Sequence, residues 1–159
     1  MITYDSDLKI FYSTLINDDK FFGGFGTRAL GDGRNIDTAI NFAQINIPNF
    51  KTIVIPEQIH SVNVTNFSAN LIDNVERISE TDGVITKDSN SVLTVITGDC
   101  VPIMFAEKKQ GITGISHQGW RGSVKRMAQK MINKIIEIGG KKEDIFVAIG
   151  PSIGECCYD

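Results

Sequence analysis

The chain has 159 residues, 42% of them hydrophobic and 22% charged, the balance of one soluble globular domain with a real core rather than a disordered segment or a membrane span. Its formal charge of -3 lacks the basic excess of a general nucleic-acid binder, although a few local cations would still suffice for a small anionic substrate.

Met1 to Asp7 shows no basic stretch leading into an apolar one, so no signal peptide is expected and the cytoplasm is the expected compartment. Phe21 to Arg34, with Gly23, Gly24, Gly26, Gly31 and Gly33 around Thr27-Arg28, reads as a loop. Ile36, Ile40, Ala43 and Ile45 are spaced as on a short helix. Lys51–Ile55 and Val62–Phe67 read as strands flanking Pro56-Glu-Gln-Ile-His-Ser61. Four short β-branched runs follow, at Val84–Thr86, Val92–Thr97, Ile103–Ala106 and Ile112–Ser116, punctuated by Asp, Gly, Asn and Lys. The most apolar segment, Val92–Ala106, is broken by Gly98, Asp99 and Pro102 and is too short to cross a bilayer, so no membrane association is expected. Val124, Met127, Ala128, Met131, Ile132, Ile135 and Ile136 then recur at three- and four-residue steps and predict one apolar helix stripe, ended by Gly139-Gly140. Ile145–Ile149 reads as a last strand. No repeat or linker divides the chain, and strands mixed with helices predict an α+β fold with a sheet core and helices outside.

Only two histidines are present, His60 and His117, and both stand beside turn signals at the ends of predicted strands. Cys100, directly after Thr97-Gly-Asp99, is placed in the same way. Strand ends present side chains rigidly to a shared cleft. Two imidazoles and a thiolate suit zinc, and three protein ligands leave the fourth position open, as in catalytic sites. The metal then lowers the pKa of a bound water toward neutrality. The same residue types fit two other readings: ordinary hydrogen-bonded or buried side chains, and a Cys–His nucleophilic pair with Cys100 activated by an imidazole. Residue types alone leave all three open.

Asp99 and Asp82 qualify as an acid, a base or a ligand-orienting group, but Asp beside Gly also serves as turn chemistry. Arg28 on the glycine-rich loop and Arg121 near the long helix are candidates for phosphate binding through charge-assisted bonds, or simply solvated cations. The glycine pairs match neither a Walker loop nor a dinucleotide fingerprint. Trp120, near His117, walls a pocket or fills the core. Three cysteines, including the adjacent Cys156 and Cys157, make no disulfide framework; that pair reads as buried thiols or as redox groups.

Read as blocks, these residues resemble a known family. Pro56-Glu-Gln-Ile-His-Ser61, Thr81-Asp-Gly-Val-Ile-Thr86, Thr97-Gly-Asp-Cys-Val-Pro-Ile103, His117-Gln-Gly-Trp-Arg-Gly122 and Gly150-Pro-Ser-Ile-Gly-Glu-Cys-Cys-Tyr158 are similar, in order, to the signature blocks of the YfiH-type family, with Gly26-Thr-Arg28 as a further match near the start. That family is also labelled polyphenol oxidase, laccase-domain protein, or purine nucleoside phosphorylase. The resemblance implies mixed β-sheets packed as a layered sandwich with outer helices, over residues 1–159 as a single domain. It implies zinc held by His60, Cys100 and His117; these three, with Asp99 as the acid or base candidate offered by residue type, are the expected catalytic residues. It further implies phosphorolysis of adenosine, inosine, guanosine and methylthioadenosine, and hydrolytic deamination of adenosine, with nucleosides and phosphate as partners.

The family usually has Ala where Gly98 and Gln118 stand here, and its members continue for tens of residues beyond the Cys-Cys-Tyr block. The expectation is therefore a domain short of the usual C-terminal portion, or a sandwich completed by a partner subunit in a homo-oligomer. A copper-dependent, laccase-like polyphenol oxidase is an alternative, but two histidines cannot furnish a multicopper centre, leaving only a single copper at the same trio. A hydrolase or peptidoglycan-editing factor using Cys100 as nucleophile is another, and a non-enzymatic metal-binding module a further one.

Overall fold

The computed structural model describes residues 1–47, 49–69 and 75–158. Its elements are β1 (Ile2–Asp5), β2 (Ile10–Ser13), β3 (Gly24–Gly26), α1 (Ile36–Asn46), β4 (Thr52–Pro56), β5 (Val64–Phe67), β6 (Val75–Ile78), β7 (Gly83–Thr86), β8 (Ser91–Leu93), β9 (Val101–Glu107), β10 (Ile112–Gln118), α2 (Trp120–Val124), α3 (Met127–Glu137) and β11 (Ile145–Ile149). They form three sheets: an antiparallel β1-β2-β3, a parallel β6-β4-β8, and a mixed five-stranded sheet in the order β11-β9-β10-β7-β5. The architecture is α+β, as expected.

Strand β9 shows why the five-stranded sheet is the centre. Its side chains alternate between faces, and both faces are covered. Ile103 and Phe105 join Ile85 and Ile112 against Met127, Met131 and Ile135 of α3. Met104 and Ala106 point the other way, onto Ile16, Phe21 and Phe25 from the N-terminal segment. A strand buried on both sides has to be apolar throughout, which is why 103–106 reads as a continuous run. The parallel sheet has its own smaller core, where α1 lays Ala43 over Ile53 and Ile55. The N-cap Asn35 starts that helix by accepting from the Asp37 amide.

Three expectations are corrected. The glycine-rich segment is not all loop, because Gly24–Gly26 forms β3 against β2. A Cβ at Gly24 would lie 2.6 Å from Ile10 Cδ1, so glycine permits the close approach of the two chains. The strand expected over Val92–Thr97 stops at Leu93; beyond it the Ile96 amide and carbonyl bond the Gln58 side chain instead of a ladder. The single helix stripe is broken at Arg126, whose backbone is left-handed (φ 62°, ψ 47°), separating α2 from α3. Val124 consequently lies outside the stripe and is 76% exposed. Strands β1, β2 and β6 were not anticipated. Among the described residues no helix is long and apolar enough to cross a membrane.

The break at Arg126 makes the two ends of the expected stripe energetically unlike. Met131→Ala, at a fully buried position, is expected to cost about 2–5 kcal/mol. Val124→Ala should stay within about 0.5 kcal/mol. Urea midpoints at unchanged m-value measure both, and equal losses would indicate one continuous helix.

Candidate metal centre

The order and direction of the strands bring the site together. β10 runs antiparallel to β9 and β7, and β7 runs parallel to β5, so the C-terminal end of β10 meets the N-terminal ends of the other three at one edge of the sheet. His117 lies at that end of β10. Cys100 immediately precedes β9, and Asp82 immediately precedes β7. His60 comes from the loop between β4 and β5.

That loop is fastened from two sides. Gln58 donates to the Ile96 carbonyl and accepts from the Ile96 amide, each at 2.7 Å, tying the His60 loop to the segment that leads into Cys100. The fully buried Asp82 supplies the other fastening. Its Oδ1 accepts from the His60 amide at 3.1 Å, and its Oδ2 from the amides of Ile59 (3.2 Å) and Ser61 (2.6 Å) and from the Ser61 hydroxyl (2.7 Å). The same Oδ1 lies 2.8 Å from His117 Nδ1. A carboxylate only accepts, so Nδ1 carries the proton and His117 Nε2 is left with a free lone pair. Burial pushes the Asp82 carboxyl upward, but the bonds from His117, Ser61 and the loop amides outweigh it and hold the group below the usual carboxylate range. His60 itself is held at φ 59°, a left-handed conformation unusual for a non-glycine residue.

The result is a compact donor set. One ligand atom from each of His60, Cys100 and His117 lies within 4.8 Å of the others, and Cys100 Sγ is 3.9 Å from His60 Nε2. The bond lengths of tetrahedral zinc place its ligand atoms about 3.5 Å apart, so this trio fits such an ion with a small contraction. The rings of His60 and His117 meet edge to face with centroids 4.8 Å apart. The burial is graded: His117 is buried, Cys100 half-buried and His60 exposed, which leaves the exposed side open to a small molecule. Burial, together with the negative charges of Asp99 and Asp82, pushes the Cys100 thiol upward. A thiolate here therefore needs a cation beside it, which a metal supplies.

Gly119 closes the back of the site. The register pairs Gln118 with Val101, which sets Gly119 beside Cys100. A Cβ at 119 would stand 2.8 Å from His60 Cδ2 and 3.3 Å from Cys100 Sγ. Chain packing thus requires a residue without a side chain between two of the three donors.

The remaining candidates are dispersed. Asp99 is exposed, one residue before Cys100, and its carbonyl accepts from the Ile153 amide at 3.0 Å. Arg121 is exposed on α2, its guanidinium 5.4 Å from the centre of the Trp120 ring. Arg28 is exposed on the turn after β3, in a different sheet, and no hydrogen bond or ion pair among the described residues ties it to the trio. Trp120 is 63% exposed and does not fill the core. Cys156 and Cys157 are exposed free thiols, not buried ones. Of the two departures from the family pattern, Gly98 is mild, since a Cβ there would meet nothing within 4 Å. Gln118 is buried and donates to the Ser116 hydroxyl.

The family model described as multi-copper polyphenol oxidoreductase laccase matches residues 33–159. The chain belongs to this family. A purine nucleoside phosphorylase of Rickettsia prowazekii is 34% identical over 145 residues, 89% of this chain and 58% of that protein. Adenosine deaminase RL5 of an unknown prokaryotic organism is 34% identical over 131 residues, 79% of this chain and 50% of that protein. The crystal structure of YlmD from Geobacillus stearothermophilus matches with a TM-score of 0.68 at 27% identity, covering 90% of this chain and 57% of that one. The chain thus spans about half the length of these relatives.

Sequence reasoning left Asp82 between turn chemistry and function, and passed over Ser61, Gln58 and Gly119. The only signal for them was adjacency, since each lies within a block that also carries a donor or precedes a strand beside one. Two outcomes test their role. Asp82→Asn keeps an acceptor for His117 but turns an amide toward the loop N–H groups, and should weaken zinc binding about 10–100-fold in competition with a chromogenic chelator. Gly119→Ala should weaken zinc at least as much while secondary structure by circular dichroism is retained; unchanged affinity would show that the donors have room for the methyl group.

Proposed function

We propose that this chain carries a zinc-dependent purine nucleoside site, acting in phosphorolysis of adenosine, inosine, guanosine and methylthioadenosine and in hydrolytic deamination of adenosine. The observation that carries the proposal is the convergence of His60, Cys100 and His117 under the control of a single buried carboxylate. Relatives named purine nucleoside phosphorylase and adenosine deaminase support the substrate class.

Bound at the trio, zinc would supply Lewis acidity and a water acidified toward neutral pH. The chain's own residues do the rest. Asp82 keeps the proton on His117 Nδ1, which fixes the tautomer and leaves the Nε2 lone pair to face a metal. Asp99, exposed beside Cys100, is placed to exchange protons with a substrate entering from solvent. Trp120 offers an exposed aromatic face one residue from Gly119, suited to stacking a purine. Arg121, beside that ring, is the nearer of the two candidate phosphate holders in sequence, and Arg28 is the other. In deamination, water replaces the C6 amino group and ammonia leaves. In phosphorolysis, phosphate replaces the base at C1′, giving a free purine and ribose 1-phosphate. The solvent-reachable thiols are compatible with a cytoplasmic, reducing location.

A copper reading is favoured only by the description of the family, and with two histidines in this chain it is confined to one ion at the same trio. Zinc-loaded, copper-free protein incubated with adenosine and phosphate should yield inosine and adenine, separated by chromatography. His60→Ala, Cys100→Ser and His117→Ala should each lose the metal and at least about 100-fold in rate. Stoichiometric zinc with neither product would sink the proposal, and phenol oxidation that appears only with copper would favour the oxidase instead.

A further inference from the structure

The His60 loop and the approach to Cys100 leave two neighbouring strands of one parallel pair. β4 pairs with β8 from Thr52 opposite Ser91 to Val54 opposite Leu93, and the Thr94 amide and hydroxyl still donate to the Val54 carbonyl, at 3.0 and 2.9 Å. Pro56 then ends β4 and has no N–H to offer. Beyond it the Gln58 side chain takes over: its Nε2 donates to the Ile96 carbonyl and its Oε1 accepts from the Ile96 amide, both at 2.7 Å. A carboxamide carries the donor and the acceptor of a peptide unit, so the pairing of the two segments continues past the proline through a side chain. His60 lies two residues beyond Gln58, and Cys100 four beyond Ile96.

We infer that Gln58 is a positioning residue for the metal centre, one that holds His60 at its distance from Cys100; the inference rests on reading the trio as a metal site. Three relations fix three donors. The register of β10 on β9, with Val101 opposite Gln118, sets Cys100 relative to His117. Asp82 Oδ1, bonded to the His60 amide and to the His117 ring, sets His60 relative to His117. Neither acts directly between the remaining pair, His60 and Cys100, whose Nε2 and Sγ stand 3.9 Å apart. The Gln58 clamp does, because it ties the loop that bears the one to the segment that leads into the other. Loss of the clamp therefore has a direction. Cys100 and His117 stay in register on the sheet, while His60, strained at φ 59° on its loop, is the donor set free.

Replacing Cys156 and Cys157 by serine leaves Cys100 as the only thiol, so a sulfur-to-cobalt charge-transfer band reports that donor alone. In this parent, Gln58→Met, close in length but unable to form either bond, should weaken zinc about 10–100-fold in competition with a chelator. With cobalt(II) in place of zinc it should keep the charge-transfer band and lose visible d–d intensity, as water replaces the His60 imidazole in a tetrahedral set. Ile135→Ala, fully buried on α3 in the cluster of Ile112, at the other end of β10 from His117, should lower the urea midpoint and leave both metal readouts unchanged. That control separates positioning from stability. Unchanged zinc affinity in Gln58→Met would overturn the inference. So would loss of the sulfur band, which would place the effect at Cys100, or an equal loss of affinity in Ile135→Ala. A parent that binds neither ion would instead sink the metal reading, and this inference with it.

Discussion

The Asp82 carboxylate is fully buried, and a buried charge costs several kcal/mol unless its lone pairs are filled. Here they are filled by three successive amides of one loop, by a serine hydroxyl and by a histidine ring. The physical constraint runs in both directions. The loop donors make the charge tolerable inside the protein, and the charge holds the loop in a conformation it would not otherwise keep. A left-handed non-glycine residue costs about 1–2 kcal/mol, and at His60 charge-assisted bonds to the adjacent amides offset that cost. One oxygen atom, Oδ1, touches both the His60 backbone and the His117 ring, so the positions of two donors are set by one group.

The sheet supplies the third donor and the tolerance. Because β10 opposes β9 in register to its last residues, the position of Cys100 follows from that of His117 through backbone hydrogen bonds alone, without any bond to the Cys100 side chain being required. The strand beneath is packed on both faces, by α3 on one and the N-terminal segment on the other. Rigid support of this kind limits how far the donors can drift in the absence of a ligand. Gly119 shows the tightness of the result, since the space a methyl group would occupy is already within contact distance of two donors.

What the sequence showed and what it hid differ for physical reasons. Periodicity located α1, α3 and the buried strands, because burial on one face or on both leaves its mark on residue type. It missed β1 and β2, whose residues are partly exposed and carry no clean alternation, and it overran at Val124, where a change in the backbone at Arg126 leaves no trace in composition. The three donors were legible as scarce residue types at strand ends. Their support was not, because Asp82, Gln58 and Gly119 act through register and loop closure, and a pairing of Gln58 with Ile96 across 38 residues has no local signature. Trp120, which residue type alone leaves between a pocket wall and a core filler, is 63% exposed, so the fold rules out the core.

The two reactions proposed for the site place unequal demands on it. Deamination occurs at C6 of the purine and phosphorolysis at C1′ of the sugar, at opposite ends of the bicyclic base. One compact donor set, with its ligand atoms within 4.8 Å, can address only one of those carbons in a given pose. A nucleoside stacked on Trp120 and turned end for end would present either carbon to the same edge of the sheet, since stacking is indifferent to which edge of the base leads. The choice of pose then falls to the cations. Phosphate held by Arg121 would draw the sugar toward the trio, whereas without phosphate the base edge is free to enter. On the proposed reading, dual chemistry at a single centre would be a matter of substrate orientation, with the candidate metal donors, the aromatic face and the buried carboxylate unchanged between the two.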